Sequence, residues 1–168
     1  MNTLVGYDNI VPLLAPVDKV STAYVLPWVD LKNALAVRFF VFCGALTSAT
    51  EDHAHILVQC SCEAGSDSEA AIAYNYRKSG AVGANTWGAI TAAAATGYAL
   101  TSVDDGFMFC IEPEMATILN GNTNKNGRYV RLEFGAWTDT IAASLIAVWA
   151  EVRPRYAQTT FVSTTGAT

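Results

Sequence analysis

Between residues 34 and 152, apolar positions recur every second residue in run after run, the spacing of strands with one buried face. In ALAVRFFVFC (34–43), Leu35, Val37, Phe39, Val41 and Cys43 share a face. In HILVQCSCE (55–63), Ile56, Val58, Cys60 and Cys62 lie opposite Gln59, Ser61 and Glu63. In AIAYNYRK (71–78), Ile72, Tyr74 and Tyr76 alternate with Ala73, Asn75 and Arg77. RYVRLEF (128–134) sets Val130, Leu132 and Phe134 against Arg131 and Glu133. SLIAVWAEV (144–152) departs from this pattern. Ile146, Val148, Ala150 and Val152 take one side, and Leu145, Ala147 and Trp149 make the other side apolar too. Such a strand is either central in a two-sided stack or covered by another molecule.

Shorter strand candidates stand at NTWGAIT (85–91), GYALTS (97–102) and FMFCIE (107–112), the last opened by the turn signal DDG. PEMATILN (113–120) predicts one or two helical turns, with Pro113 at the first position, where its missing N–H is tolerated. NGNTNKNG (120–127) is a polar loop rich in residues that accept left-handed backbone. The alanine-rich AITAAAATGYAL is broken by Thr91, Thr96 and Gly97 and is read as strand and loop. The fold expected is therefore all-β: an antiparallel β-sandwich or jelly roll of about eight strands with one short helix. Residues 1–27, with Pro12, Pro16 and Pro27, are expected as an extended N-terminal arm lying on the surface. Residues 28–152 are then the sandwich and 153–168, beginning RPRY, a C-terminal tail.

Composition sharpens this picture. The chain has 168 residues, 52% hydrophobic and only 15% charged, well below the usual quarter or so. A chain so poor in charge buries much of itself or covers its surface with a partner. Its net charge of -5 argues against a nucleic-acid partner, which demands a basic footprint. The apolar runs are too short to span a bilayer as a helix, so no membrane partner is expected, and the N-terminus lacks the basic and apolar regions of a signal peptide. Cys43, Cys60, Cys62 and Cys110 all lie in strand-like runs and are read as reduced core thiols.

Reactive chemistry is hard to assemble from these residues. HAHILVQCSC carries His53, His55, Cys60 and Cys62, but the one-residue spacings are not those of zinc sites, and both thiols fall on the core face. Glu112, Glu114, Asp104 and Asp105 supply carboxylates, yet they sit in a turn and beside a helix start. There is no nucleophile elbow and no phosphate-cradling loop. No cofactor and no enzymatic activity are expected. Trp28, Trp87, Trp137 and Trp149 remain, as core, subunit interface or sugar-stacking platforms.

The order VDLKNALAVRFFVFCGAL (29–46), AYNYRKSGAVGANTW (73–87), SVDDGFMFCIEPEM (102–115), RYVRLEF and SLIAVWAEVRPRYAQ (144–158) resembles that of tailed-bacteriophage capsid cement or decoration proteins, small virion proteins with a jelly-roll or β-sandwich body. The resemblance covers roughly residues 28 to 158. It implies a non-enzymatic homotrimer made in the host bacterial cytoplasm, bound to the major capsid protein on the outside of the icosahedral head and bracing neighbouring capsomers. The contact residues expected under that reading are Val11, Leu13 and Leu14 on the arm, Leu145 and Trp149 on the last strand, and Arg153, Arg155 and Tyr156 at the exit. Another virion part, such as a head-fibre base, neck or tail protein, and a carbohydrate-binding module are the alternatives.

Overall fold

The computed structural model describes residues 9–18, 23–48, 54–64, 68–121, 126–135 and 141–155. Its strands are β1 (Asn9–Asp18), β2 (Tyr24–Val25), β3 (Val29–Asp30), β4 (Ala34–Ser48), β5 (His55–Ser61), β6 (Ala70–Ile72), β7 (Tyr74–Lys78), β8 (Thr91–Ala93), β9 (Tyr98–Ala99), β10 (Met108–Glu112), β11 (Tyr129–Phe134) and β12 (Ile141–Pro154). Among the described residues a single 3-10 turn, Ser102–Asp104, precedes β10 and one α-helix, α1 (Met115–Asn120), follows it. The first sheet runs β1-β12-β4-β10-β7-β8 and the second β2-β11-β5-β6, with β3 beside β11 and β9 beside β5. All the pairings are antiparallel. The protein is an all-β sandwich.

Period-two alternation did most of this work. The inner face of the first sheet carries Val37, Phe39, Val41, Cys43, Phe109, Ile111, Ile146, Val148, Ala150 and Val152. The second sheet answers with Ile56, Val58, Cys60, Val130, Leu132 and Phe134, and the two faces form one core. Leu35 departs from the expectation. It is exposed while Ala34 is buried, because Arg153 pairs with Ala36 but Pro154 with Ala34. The extra residue in β4 is a bulge, and a one-residue slip turns every side chain beyond it to the opposite face.

The run AIAYNYRK is not one strand. Residues 70–72 pair with β5 in the second sheet, and residues 74–78 pair with β10 in the first, so the chain changes sheets at Ala73. Alternation survives the corner because both inner faces look into the same core. Tyr74 fixes the crossing: its buried hydroxyl donates to the Ile56 carbonyl at 2.6 Å and accepts the Tyr98 N–H at 3.1 Å. At the turn before β9, Gly97 has φ +85, and a Cβ there would lie 2.5 Å from the Ile56 carbonyl oxygen, so only glycine fits.

The surface arm expected over residues 1–27 is corrected over residues 9–18. Asn9–Asp18 is an integral strand of the first sheet, in register with β12 from Asn9↔Val152 to Asp18↔Leu145. Val11 and Leu13 are 9% and 7% exposed and belong to the core, as does Leu26. The prolines misled for a physical reason. Proline bars a central strand, but β1 lies at the sheet edge, and its register against β12 shifts between Pro12 and Leu14 and again between Leu14 and Val17, the edge and bulge positions where proline is tolerated. At the other boundary, β12 continues to Pro154, and the Arg155 N–H donates to the Asn33 carbonyl at 2.7 Å. The helix starts at Met115 with Glu114 as its N-cap, two residues later than Pro113 suggested.

Candidate interaction face

The outer face of the first sheet is built in transverse rows, because directly paired residues share a side. In the central row Pro12 stands opposite Trp149, Trp149 opposite Phe40, Phe40 opposite Cys110, and Cys110 opposite Arg77. The Phe40 and Trp149 rings stack with centroids 5.5 Å apart and planes 13° from parallel. Trp87 meets Phe40 edge-on at 6.4 Å. In the adjoining row Ala147 faces Phe42, which faces Met108. On the other side Glu151 stands opposite Arg38, and the Arg38 guanidinium reaches Glu112 at 2.5 Å and Glu151 at 3.8 Å. An apolar aromatic strip thus runs beside an ionic rail.

The rail adds little stability, since exposed pairs contribute roughly 0–1 kcal/mol. Its arrangement instead leaves the strip bordered by charge on one side only. Burial, with help from Glu112, pushes the Cys110 thiol up to about 11, so at neutral pH it is an apolar member of the strip rather than a nucleophile.

The opposite outer face is a different surface. On β11, Arg131 lies over the Trp28 ring at 4.1 Å, donates to Gln59 at 2.9 Å and pairs with Glu69. Gln59 in turn donates to Glu133. Burial holds the Glu133 carboxyl above its ordinary value, Arg131 opposes that, and Glu69 adds to it. These groups satisfy one another, and Trp28 is spent beneath Arg131 rather than offered to a ligand. That leaves the first sheet as the face with an aromatic strip to cover.

All but one of the residues expected at an interface can now be placed. Leu145 and Trp149 lie on the aromatic face, Leu145 37% exposed and Trp149 half-buried. Arg153 is exposed further along the same strand, and Arg155 is exposed just past its end. Leu14 is half-buried against the core. Val11 and Leu13 are corrections: they point into the chain's own core and present nothing to a partner. Tyr156 lies outside the described residues. Phe40, Phe42 and Met108 were missed, although FFVF places apolar residues at both parities of β4, the same signal that singled out β12.

Of the other candidates, His55, Cys62 and Asp104 are engaged in contacts within the chain. His55 Nδ1 sits 3.0 Å from the Thr96 carbonyl oxygen, and the Cys62 sulfur 2.9 Å from the Ser68 hydroxyl; His53 lies outside the described residues. Among the described residues no group of His, Cys, Asp and Glu is arranged to hold a metal ion, and no helix is long and apolar enough to cross a membrane. Asp104 of the DDG turn is wholly buried. It accepts from Lys78 Nζ at 2.6 Å, from the Tyr98 hydroxyl at 3.1 Å and from the Thr101 N–H at 2.9 Å. Burial first and Asp104 second push the Tyr98 phenol well above its ordinary value.

Asp30 and Arg128 close the far end of the second sheet, with Arg128 Nε donating at 2.7 Å and the Lys32 N–H at 2.8 Å. Burial works to raise the Asp30 carboxyl, but the Arg128 hydrogen bond and the Lys32 N–H outweigh it and hold it below the ordinary value. An acid with a depressed folded value contributes stability that is complete above its unfolded value and lost as pH falls through the folded one. Asp30→Asn is therefore expected to reduce the melting temperature at neutral pH and to flatten its fall below about pH 4. Melting curves from pH 7 downward check this; curves of wild type and variant separated by a constant offset at every pH would contradict it.

Comparison of the chain with protein-family models, with curated proteins and with solved structures finds no match. A function for this sandwich is accordingly argued from its own residues.

Proposed function

We propose that this chain is a non-enzymatic structural virion protein that binds the outside of a phage icosahedral head and cements neighbouring capsomers, as a homotrimer. The observation that carries the reading is the aromatic strip of Trp149, Phe40 and Phe42 on the outer face of the first sheet, in a chain with few charges. A half-exposed apolar strip bordered by an ionic rail has the make-up of an interface: aromatic in its centre and polar at its rim. The order of sequence motifs, which resembles that of capsid cement proteins, and the β-sandwich body support the same reading. The major capsid protein and further copies of the chain are the partners it calls for. Many copies on one shell convert modest contacts into lasting attachment through effective concentration.

Electron microscopy of heads with and without the protein tests this proposal. Added density on the shell, at hundreds of copies, is the expected result. Its absence ends the proposal, and a handful of copies at a vertex or tail moves the protein to another virion part. Sedimentation equilibrium of the purified chain tests the trimer separately. Trp149→Ala is expected to weaken attachment by about 2 kcal/mol, roughly thirtyfold, if the strip is the contact. Unchanged attachment of a folded Trp149→Ala protein would move the contact elsewhere.

A further inference from the structure

At the end of the aromatic face where β7 leaves the sheet, the chain builds a cleft of about 270 Å³. Phe42 and Met108 of the sheet and Trp87 of the loop 79–87 supply its apolar surface, and Asn85 and Thr86 stand among its lining residues. We infer that this cleft is a binding site for a neutral saccharide, with Trp87 as the stacking platform and the Asn85 amide and Thr86 hydroxyl as hydrogen-bonding partners.

The loop is held in shape before any ligand arrives. Ser79 and Trp87 form a β-bridge, the Gly80 N–H donates to the Thr86 carbonyl at 2.9 Å, and the Gly88 N–H donates to the Lys78 carbonyl at 2.8 Å. The Ala84 N–H closes on the Ala81 carbonyl at 2.8 Å around Gly83, whose φ of +88 suits glycine. The Ser79 hydroxyl ties the loop to β10 by accepting the Met108 N–H at 2.9 Å. A site fixed in this way loses little conformational freedom on binding.

Three features select the ligand class. Trp87 is 44% exposed, and the stacking face of its neighbour Phe40 is already taken by Trp149, so Trp87 is an open ring beside a cleft rather than a core residue. The side chains of Asn85 and Thr86 make no hydrogen bond to another described residue, so an amide and a hydroxyl stand ready for a polar ligand. The residues that line the cleft carry no charge, so a charged ligand finds no counter-ion in its wall. A sugar ring, with an apolar C–H face and hydroxyl edges, matches an aromatic wall with neutral hydrogen-bonding groups. The volume lies just below the range of about 300–1,000 Å³ typical of drug-sized ligands, which suits one or two sugar rings. The cleft shares Phe42 with the aromatic strip, but its stacking platform is Trp87 and not Trp149.

The test is a titration of the full ¹⁵N-labelled chain with the methyl glycosides of glucose, galactose, mannose, N-acetylglucosamine and N-acetylgalactosamine into the tens of millimolar. At least one is expected to shift the Trp87 indole N–H and the amides of residues 79–87, with a dissociation constant of about 1 mM. Trp87→Ala is expected to abolish the response and Asn85→Ala to weaken it about tenfold, while Trp149→Ala leaves it intact. Trp87→Phe, which keeps a ring, should retain part of the binding and shows that loss in Trp87→Ala is not loss of fold. The inference is overturned if no glycoside moves the Trp87 indole or if the shifts survive Trp87→Ala. It is equally overturned if raising the protein concentration alone moves the same resonances, since a second copy then occupies the cleft.

Discussion

Removal of residues 1–18 is expected to unfold the sandwich or leave it without a cooperative melt. The deletion takes away all of β1, and with it Val11 and Leu13 from the core. Burial of each such side chain stabilises by about 1.5–3 kcal/mol. The ladder from Asn9↔Val152 to Asp18↔Leu145 goes as well, leaving β12 as a long, apolar, unpaired edge. Against a total stability of about 5–15 kcal/mol, this loss is large enough to remove the native state or drive the chain into aggregates. Circular dichroism melts and NMR dispersion of the truncated chain are the measurements. A truncated protein that melts cooperatively near the temperature of the parent would show that β1 is an accessory strand.

Asp104→Ala is expected to cost about 3 kcal/mol, toward the low end for breaking a buried ion pair because Lys78 keeps some contact with water. The side-chain exposures are 0% for Asp104 and 28% for Lys78. The substitution also strands the Tyr98 hydroxyl and the Thr101 N–H, and it leaves Lys78 with the Val103 carbonyl at 3.2 Å and the Phe107 ring at 4.0 Å. For a chain of this length the melting temperature should fall by roughly 6–12 °C. Asp104→Asn, which keeps the volume and some hydrogen bonds, should fall less. Adding Lys78→Met to Asp104→Ala should recover part of the loss, because the stranded charge goes with it. An Asp104→Ala protein that melts with the parent would mean that the pair contributes no net stability.

Asp104 also shows where residue patterns stop informing. DDG reads as a turn, and the local Thr101-to-Asp104 capping spacing does not by itself say that this carboxylate is the buried anchor of a loop. The partners come from β7, β9 and the approach to the turn, and Lys78 is 26 residues away. The aromatic face was half legible for a related reason. Two-sided apolarity in β12 marked Trp149 as a surface residue to be covered. FFVF carries the same signal for Phe40 and Phe42, but that they and Met108 lie beside Trp149 depends on the order of strands, which alternation does not encode. The cleft beside Trp87 was not legible at all, since Phe42, Met108 and the loop 79–87 meet only when β4, β10 and β7 lie side by side.

The sequence by itself determined the all-β class, the inner faces of most long strands and the short helix. Those properties follow from residue type at short range: a period of two, turn residues and β-branched or aromatic side chains act within a few positions. Only the tertiary structure decided that β1 is part of the core sheet, that AIAYNYRK divides between two sheets, and that a bulge turns Leu35 outward. Each of these depends on which strand lies beside which, and that is settled by the mutual burial of two faces across the whole chain.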